Sequence, residues 1–384
     1  MTQDVYLDHA ATTPLREDVV KAMLPYLTKE YGNPGSFNAL GMRARDAVES
    51  ARGVVSRMLH AKTSEIIFTS GGTESNNLAL KGVMKGNREK GNHLITTTIE
   101  HPSVLETCKY LEKHEGCKVT YVAVTRQGIV DVDALEEAIR KDTVLISVMY
   151  ANNDLGTIQP LAALGKIARD HGIFFHTDAC QAGLLDLDVN TLQADLLTLN
   201  GSKLHGPKGS GVLYRRTGVP LHPLFHGGGQ EWKLRSGTEN VAAIVGFAKA
   251  LELTQQGREQ ETPRLARLRD MLVAGILESI PRAHINGHPT QRLPHHASIT
   301  FAGVDVEAML LALSEQGIYA SAGSACSSRK AGPSPALLAT GMKEKEAEGT
   351  LRFTLGNSTT EEQVRYVLSV LPDMVKKLRA VTQR

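Results

Sequence analysis

Between residues 65 and 215 the chain alternates between two hydrophobic periods, and that alternation limits the fold more than any single motif does. β-rich runs fall at residues 65–70, 93–98, 118–124, 143–151, 173–178, 196–199 and 211–215. Helical patterns fit residues 74–85, 103–114, 132–140 and 161–170 between them. Strands that alternate with helices build βαβ units, so the expected class is α/β, with a mostly parallel seven-stranded sheet and helices on both faces. The interval from residue 199 to 211 is too short for a helical crossover, so the last strand should run antiparallel. Upstream, helical patterns fit residues 16–31 and 39–59, parted by the breaker Gly32-Asn33-Pro34-Gly35-Ser36. Near residue 250 the character changes. A charged helical stretch at 241–277, with breaks, leads to short strands at 297–301, 318–320 and 351–354 and helices at 304–315 and 360–381. The expected division is a large domain over residues 16–250 and a smaller α+β domain made of residues 1–15 and 251–384.

A chain of 384 residues has room for two cores, and 41% hydrophobic content is ordinary for a globular protein. A net charge of +2 gives no electrostatic footprint for nucleic acid. No apolar run approaches the length of a membrane span, and the first residues carry neither a basic n-region nor an apolar h-region. Cys108, Cys117, Cys180 and Cys326 are scattered, without CxxC or zinc spacing. These features point to a cytoplasmic, reduced protein with no nucleic-acid or membrane partner, in which a special cysteine acts as a thiol.

The chemistry centres on Lys203, in a turn after the strand at 196–199. A lysine at a strand end, enclosed by apolar residues, is a candidate Schiff-base former, because partial desolvation frees its amine to attack a carbonyl. A phosphate-loop reading fails: Gly201 and Gly206 are spaced for it, but Pro207 stands where the lysine must be. One strand-helix-strand interval upstream, Asp178 closes another apolar strand, so an acid and a lysine can face one crevice of a parallel sheet. An acid on a pyridinium nitrogen and a lysine on an aldehyde are what pyridoxal phosphate requires.

Gly71-Gly72-Thr73 opens a helix and offers backbone N–H groups and a hydroxyl to an anion, although Gly-Gly-Thr is also an ordinary turn and cap. His101, where a strand meets its helix, can stack on a ring, move protons or simply sit in the capping region. Asn152 and Asn153 offer amides to a ring hydroxyl or a carboxylate, or to their own turn. The glycine-rich loop from His226 to Thr238 suits a phosphate, a subunit contact or a plain loop. Cys326 lies among small residues next to Arg329 and Lys330, a setting that favours thiolate. Arg352, on a strand, can grip a carboxylate with its fork or serve in a salt bridge.

Together these residues resemble the cysteine desulfurases of the NifS/IscS type, in the class V aminotransferase group of pyridoxal-phosphate fold-type I. The resemblance covers essentially the whole chain. It runs through Tyr6-Leu7-Asp8, Ala10-Ala11-Thr12-Thr13-Pro14, Tyr31-Gly32-Asn33-Pro34, Gly72-Thr73-Glu74-Ser75, Glu100-His101, Asn152-Asn153 and Asp178-Ala179-x-Gln181. It continues through Lys203-x-x-Gly206-Pro207-Lys208-Gly209, His226-Gly227-Gly228-Gly229-Gln230-Glu231, Arg235-Ser236-Gly237-Thr238, Gly323-Ser324-Ala325-Cys326 and Arg352-Phe353. The resemblance implies that Lys203 holds pyridoxal 5'-phosphate, with Asp178 on the ring nitrogen, His101 stacked on the ring and Gln181 on its hydroxyl. Gly72, Thr73 and Ser202 would hold the phosphate, with Thr238 arriving from the second subunit of a homodimer. Arg352 and Asn153 would hold the carboxylate of L-cysteine. Lys203 would move the Cα proton, and Cys326 would take the sulfur as a persulfide for a sulfur-acceptor protein, often an iron–sulfur scaffold.

Four departures stand out. Asn200-Gly201-Ser202 replaces the usual Ser-x-His before the lysine, and Glu231-Trp232-Lys233-Leu234 replaces Glu-Arg-Gly followed by Leu or Met. Asn38 takes a common histidine position, and an end at Arg384 leaves the acceptor open. The alternatives are a selenocysteine lyase, another class V lyase or transaminase that does not need Cys326, and a cofactor-binding scaffold without turnover.

Overall fold

A computed structural model describes residues 4–323 and 332–382. The strands are β1 (Val5–Tyr6), β2 (Ile66–Thr69), β3 (His93–Thr97), β4 (Lys118–Val122), β5 (Thr143–Ser147), β6 (Phe174–Asp178), β7 (Leu196–Asn200), β8 (Gly211–Arg215), β9 (Ala283–Ile285), β10 (His296–Phe301), β11 (Ile318–Tyr319) and β12 (Thr350–Thr354). Seven of them form the central sheet in the order β2-β8-β7-β6-β5-β3-β4. β8 is antiparallel to both β2 and β7, as the short interval before it requires, and the other pairs are parallel.

The alternation of side chains along each strand divides this sheet's apolar residues between two cores. Ile66, Phe68, Ile95, Ile146, Leu197, Val212 and Tyr214 pack on one face with helices Ala39–Met58 and Leu161–Asp170. Ile67, Leu94, Leu145, Leu196 and Leu213 pack on the other, under helices Gly72–Gly86 and Pro102–Glu115. Because the strands are buried on both faces, their sequences read as unbroken apolar runs, and hydrophobic patterning alone is enough to locate them.

A third core gathers Leu265, Leu272, Ile299, Phe301, Phe353 and Val367 around the antiparallel sheet β12-β10-β9. Val5 and Leu7 join it, and β1 pairs in parallel with β11, so the start of the chain is built into its last third.

Three sequence expectations change. The helix at 241–277 has no break: it runs continuously over Val241–Ser279 with Pro263 inside. Pro263 and Glu259, whose carbonyl loses its bond, are both exposed, so water can satisfy that carbonyl. Burial of Ile244, Phe247 and Leu251 in the first core and of Leu265, Leu268 and Leu272 in the third holds both halves in line. β9 adds a strand that the hydrophobic pattern does not signal; its three residues are each half-buried and show no alternation. The helix expected at 132–140 is shorter, Val132–Glu137.

Candidate active site

Lys203 ends a one-turn 3₁₀ helix, Gly201–Lys203, directly after β7. Its amine donates to the carbonyl oxygen of Ala11. Residues 10–13 are held across it. The Thr13 N–H and hydroxyl both donate to the Ser202 carbonyl, at 2.9 and 3.0 Å, and the Gln181 side-chain amide donates to the Ala10 carbonyl at 3.1 Å. Lys203 and Gln181 line one cavity together with His9, His205 and His295. Burial pushes His205 down to about 4 and His295 to about 3 and lowers His9 as well, so these imidazoles are uncharged at neutral pH.

Asp178 stands at the carboxyl end of β6, one strand over from β7, and is buried. Its Oδ2 accepts from the Asn76 amide at 2.6 Å and its Oδ1 from the Cys180 backbone N–H at 3.0 Å. The Cys180 thiol lies in the fields of both Asp178 and Lys203, and burial pushes it well above the usual thiol range. Acid and lysine thus face a shared interior, as their strand-end positions imply.

Gly72 and Thr73 open the helix Gly72–Gly86, whose first N–H groups have no partner within the helix. A Cβ on Gly72 would sit 2.6 Å from Cys180 Sγ, so only glycine lets the helix end approach Cys180, just past β6, this closely; Asn200 on β7 is in ordinary contact with the same position. Asn200 accepts from Ser202 N–H and hydroxyl, each at 3.3 Å, and so orders the turn that replaces the family's Ser-x-His. A helix dipole with free N–H groups at its start is chemically suited to an anion.

His101 caps the helix Pro102–Glu115, its Nδ1 accepting from Ser103 N–H at 3.1 Å. Beside it, burial pushes the Glu100 carboxyl up to about 8, and its Oε1 accepts from Thr97 Oγ1 and Met149 N–H.

Arg352 is buried on β12. Its Nη1 donates to Asp154 Oδ1 at 3.1 Å and to the Asn153 carbonyl at 3.2 Å, and its Nη2 to Asp8 Oδ1 at 3.0 Å. Its Nε is buried and has no hydrogen-bond partner among the described residues. Asp154 also accepts from Asn153 and Ser334, and a Cβ on Gly323 would lie 3.1 Å from its carboxyl carbon. Gly323 and Ser334 flank the segment that carries Cys326, which lies outside the described residues.

At Asn152 and in the glycine-rich loop the structure takes up alternatives that the sequence left open. Asn152 is used within its own turn: its Oδ1 accepts from Asp154 and Leu155 N–H, and its Nδ2 donates to the Ile99 carbonyl. The cation of the glycine-rich loop, Arg235, is paired with Glu74 at 2.9 Å. Thr238 is exposed and lines a separate hollow with Ser70, Gly209 and Arg235 rather than the Lys203 cavity. Sequence reasoning missed Asn76, Ser103, Asp154 and Asp8 as site residues. Asn76 carried one usable signal, since it stands a helical turn after Gly72 and so shares its face.

An acid and a lysine at adjacent parallel strand ends, beside a glycine-opened helix, fit pyridoxal phosphate. The chain belongs to the class V aminotransferases, whose family model matches residues 5–367. A relative named cysteine desulfurase IscS, from Methanosarcina thermophila, is 50% identical over 98% of this chain and 93% of its own length. A solved NifS-like protein superposes with a TM-score of 0.90 at 37% identity, covering 99% of this chain and all of that one. The solved structure of SspA in complex with cysteine gives 0.81 at 38% identity, over 91% and 98%.

Proposed function

We propose that this chain is a pyridoxal-phosphate-dependent cysteine desulfurase, converting L-cysteine to L-alanine and passing the sulfur to an acceptor protein. The observation that carries the reading is the convergence of Lys203, Asp178 and the Gly72 helix end around Cys180. Pyridoxal phosphate, when bound, supplies the aldehyde that captures the substrate amine and the ring that withdraws electrons from its Cα.

The protein's own groups do the rest. Gly72 and Thr73 N–H groups with the Ser202 hydroxyl hold the phosphate, and Asp178 holds the ring nitrogen protonated. His101 covers the ring and Gln181 bonds its hydroxyl. Arg352, with Asn153, orients the cysteine carboxylate; its guanidinium, fixed by Asp8, Asp154 and the Asn153 carbonyl, supports that role. Lys203 moves the Cα proton. Cys326 thiolate attacks the substrate sulfur; the new S–S bond forms as the Cβ–S bond breaks, and the freed electron pair remains on carbon, where protonation gives alanine. The fixing of Gly323 and Ser334 at Asp154, beside Arg352, supports delivery of the thiol to this end of the cleft.

The same reading assigns residues 16–250 to the cofactor domain and residues 1–15 with 251–384 to the domain of carboxylate and thiol. It makes the active form a homodimer in which Thr238 completes the partner's phosphate site. The exposed apolar patch of Leu24, Leu27, Tyr31, Phe37 and Met42, with Phe37 90% accessible, supports a second copy as its cover. The acceptor is a thiol-bearing protein such as an iron–sulfur scaffold, in the cytoplasm where Cys326 stays reduced. No helix among the described residues is long and apolar enough to cross a membrane.

The test is alanine formation from L-cysteine with a thiol reductant, comparing wild type, Cys326→Ala and Lys203→Ala. Alanine from wild type only, with the visible Schiff-base band missing from Lys203→Ala, is expected. Undiminished turnover by Cys326→Ala would mean a lyase or transaminase instead, and no turnover by any protein would sink the reading.

A further inference from the structure

Four buried or half-buried groups form a line that the reaction chemistry alone does not call for. The Asn76 amide donates to Asp178 Oδ2 at 2.6 Å and to Ser103 Oγ at 2.9 Å. Ser103 Oγ then lies 2.7 Å from His101 Nδ1. Both Asn76 hydrogens are used, while its Oδ1 is buried without a partner among the described residues. Turning the amide over would set that oxygen against the Asp178 carboxylate, so its orientation is fixed. A buried carbonyl oxygen left unsatisfied is costly, and here it is tolerated where the NH₂ group serves two acceptors at once.

The direction of every proton along the line follows. Ser103 Oγ accepts from Asn76, so its own hydrogen is available to His101. His101 Nδ1 also accepts from the Ser103 backbone N–H at 3.1 Å, and a backbone N–H can only donate. Nδ1 therefore meets two donors and carries no proton.

We infer that Asn76 and Ser103 are positioning residues that fix His101 as its Nε2–H tautomer and tie that choice to the carboxylate of Asp178. His101 then offers the bound cofactor and substrate a hydrogen-bond donor rather than a base, and proton abstraction is left to Lys203. The inference deepens the desulfurase reading and rests on it for the identity of the bound groups. The tautomer itself depends only on hydrogen bonds within this chain.

Long-range ¹⁵N–¹H correlation spectra of the full-length holoenzyme labelled at histidine, with the His101 signals assigned by their loss in His101→Phe, read the tautomer directly. The expected pattern is an imine-like Nδ1 and a protonated Nε2. A protonated Nδ1, or a mixture of the two forms, in wild type would overturn the inference without recourse to any further variant. Ser103→Ala removes one of the two donors to Nδ1 and leaves the backbone N–H, so it should move the Nδ1 signal while keeping Nδ1 unprotonated, and loosen the ring enough to lower kcat/KM for L-cysteine by about tenfold, the size of loss seen when the partner orienting a metal-bound imidazole is removed. Ser103→Thr should restore both. In a His101→Phe background Ser103→Ala should cost nothing more; an equal further loss would show that Ser103 acts through packing and refute the positioning role. An enzyme with the expected spectrum but no turnover of L-cysteine would leave the tautomer assignment standing and remove the desulfurase reading.

Discussion

Arg52 and Glu231 form a buried ion pair whose removal has a calculable cost. Their side chains are 4% and 3% exposed, and the two guanidinium nitrogens meet the two carboxylate oxygens at 2.8 Å each. Arg52 Nη1 also donates to the Ile66 carbonyl at 2.9 Å, and Glu231 Oε2 accepts from Phe68 N–H at 2.9 Å. The pair therefore joins helix Ala39–Met58, the sheet edge at β2 and the loop that carries Thr238. Removing one partner leaves the other charge buried, which costs about 3–5 kcal/mol. Replacing both by apolar groups removes that penalty. Arg52→Met and Glu231→Leu should each lose about 3 kcal/mol, and the double Arg52→Met/Glu231→Leu much less than the sum, for a coupling of at least about 2 kcal/mol. Urea unfolding followed by fluorescence reads this site directly, because the chain's single tryptophan, Trp232, lies over Arg52 with its ring centre 5.3 Å from the guanidinium carbon. Single variants that each cost under about 1 kcal/mol, with an additive double, would place the pair among the weak surface pairs and refute the argument.

Two further outcomes are expected. His176 is pushed down to about 4 and His295 to about 3 by burial, so between their folded values and 6.5 the unfolded chain binds more protons. Their contribution to stability is therefore full above pH 6.5 and falls as pH drops toward 4, by up to about 3 kcal/mol per histidine, while Glu100, pushed up to about 8, works in the opposite sense; a His176→Gln variant whose urea midpoint falls between pH 7 and 4.5 as much as that of wild type would contradict this. Separately, Glu231, Trp232 and Lys233 hold φ of 46°, 60° and 63°, a left-handed run with no glycine. Lys233→Gly, which places glycine where related enzymes carry it, should raise stability by about 0.5–1 kcal/mol, and a lowered urea midpoint would show the strain argument to be wrong.

The strand ends were legible because the chemistry sits where the hydrophobic runs stop: Asp178 after Phe174-Phe175, and Lys203 after Leu196 to Leu199. Those runs are continuous because each strand is buried on both faces. Arg52–Glu231 left no trace in the sequence, since its partners are 179 residues apart and each looks like an ordinary surface charge. Asn76 and Ser103 were hidden for a related reason: their roles exist only once two helix starts and the end of β6 lie side by side. Arg352 was legible as a carboxylate-binding candidate, but Asp8 and Asp154, which hold it, come from opposite ends of a long separation and no local pattern links them. The breaks expected within 241–277 are not formed: even at Pro263, a helix breaker by propensity, burial on both sides holds the helix in line.

That unbroken helix has a mechanical consequence. At 39 residues it is a rod of roughly 58 Å with one end set in each of two cores. Neither core can tilt against the other without bending the rod or stripping apolar side chains from one of its sockets. The molecule is braced like a beam fixed at both ends, and the give needed to admit and release a small substrate has to come from segments that cross the cleft, such as residues 10–13 over Lys203. For the same reason heat should melt the two cores together, in one endotherm rather than two.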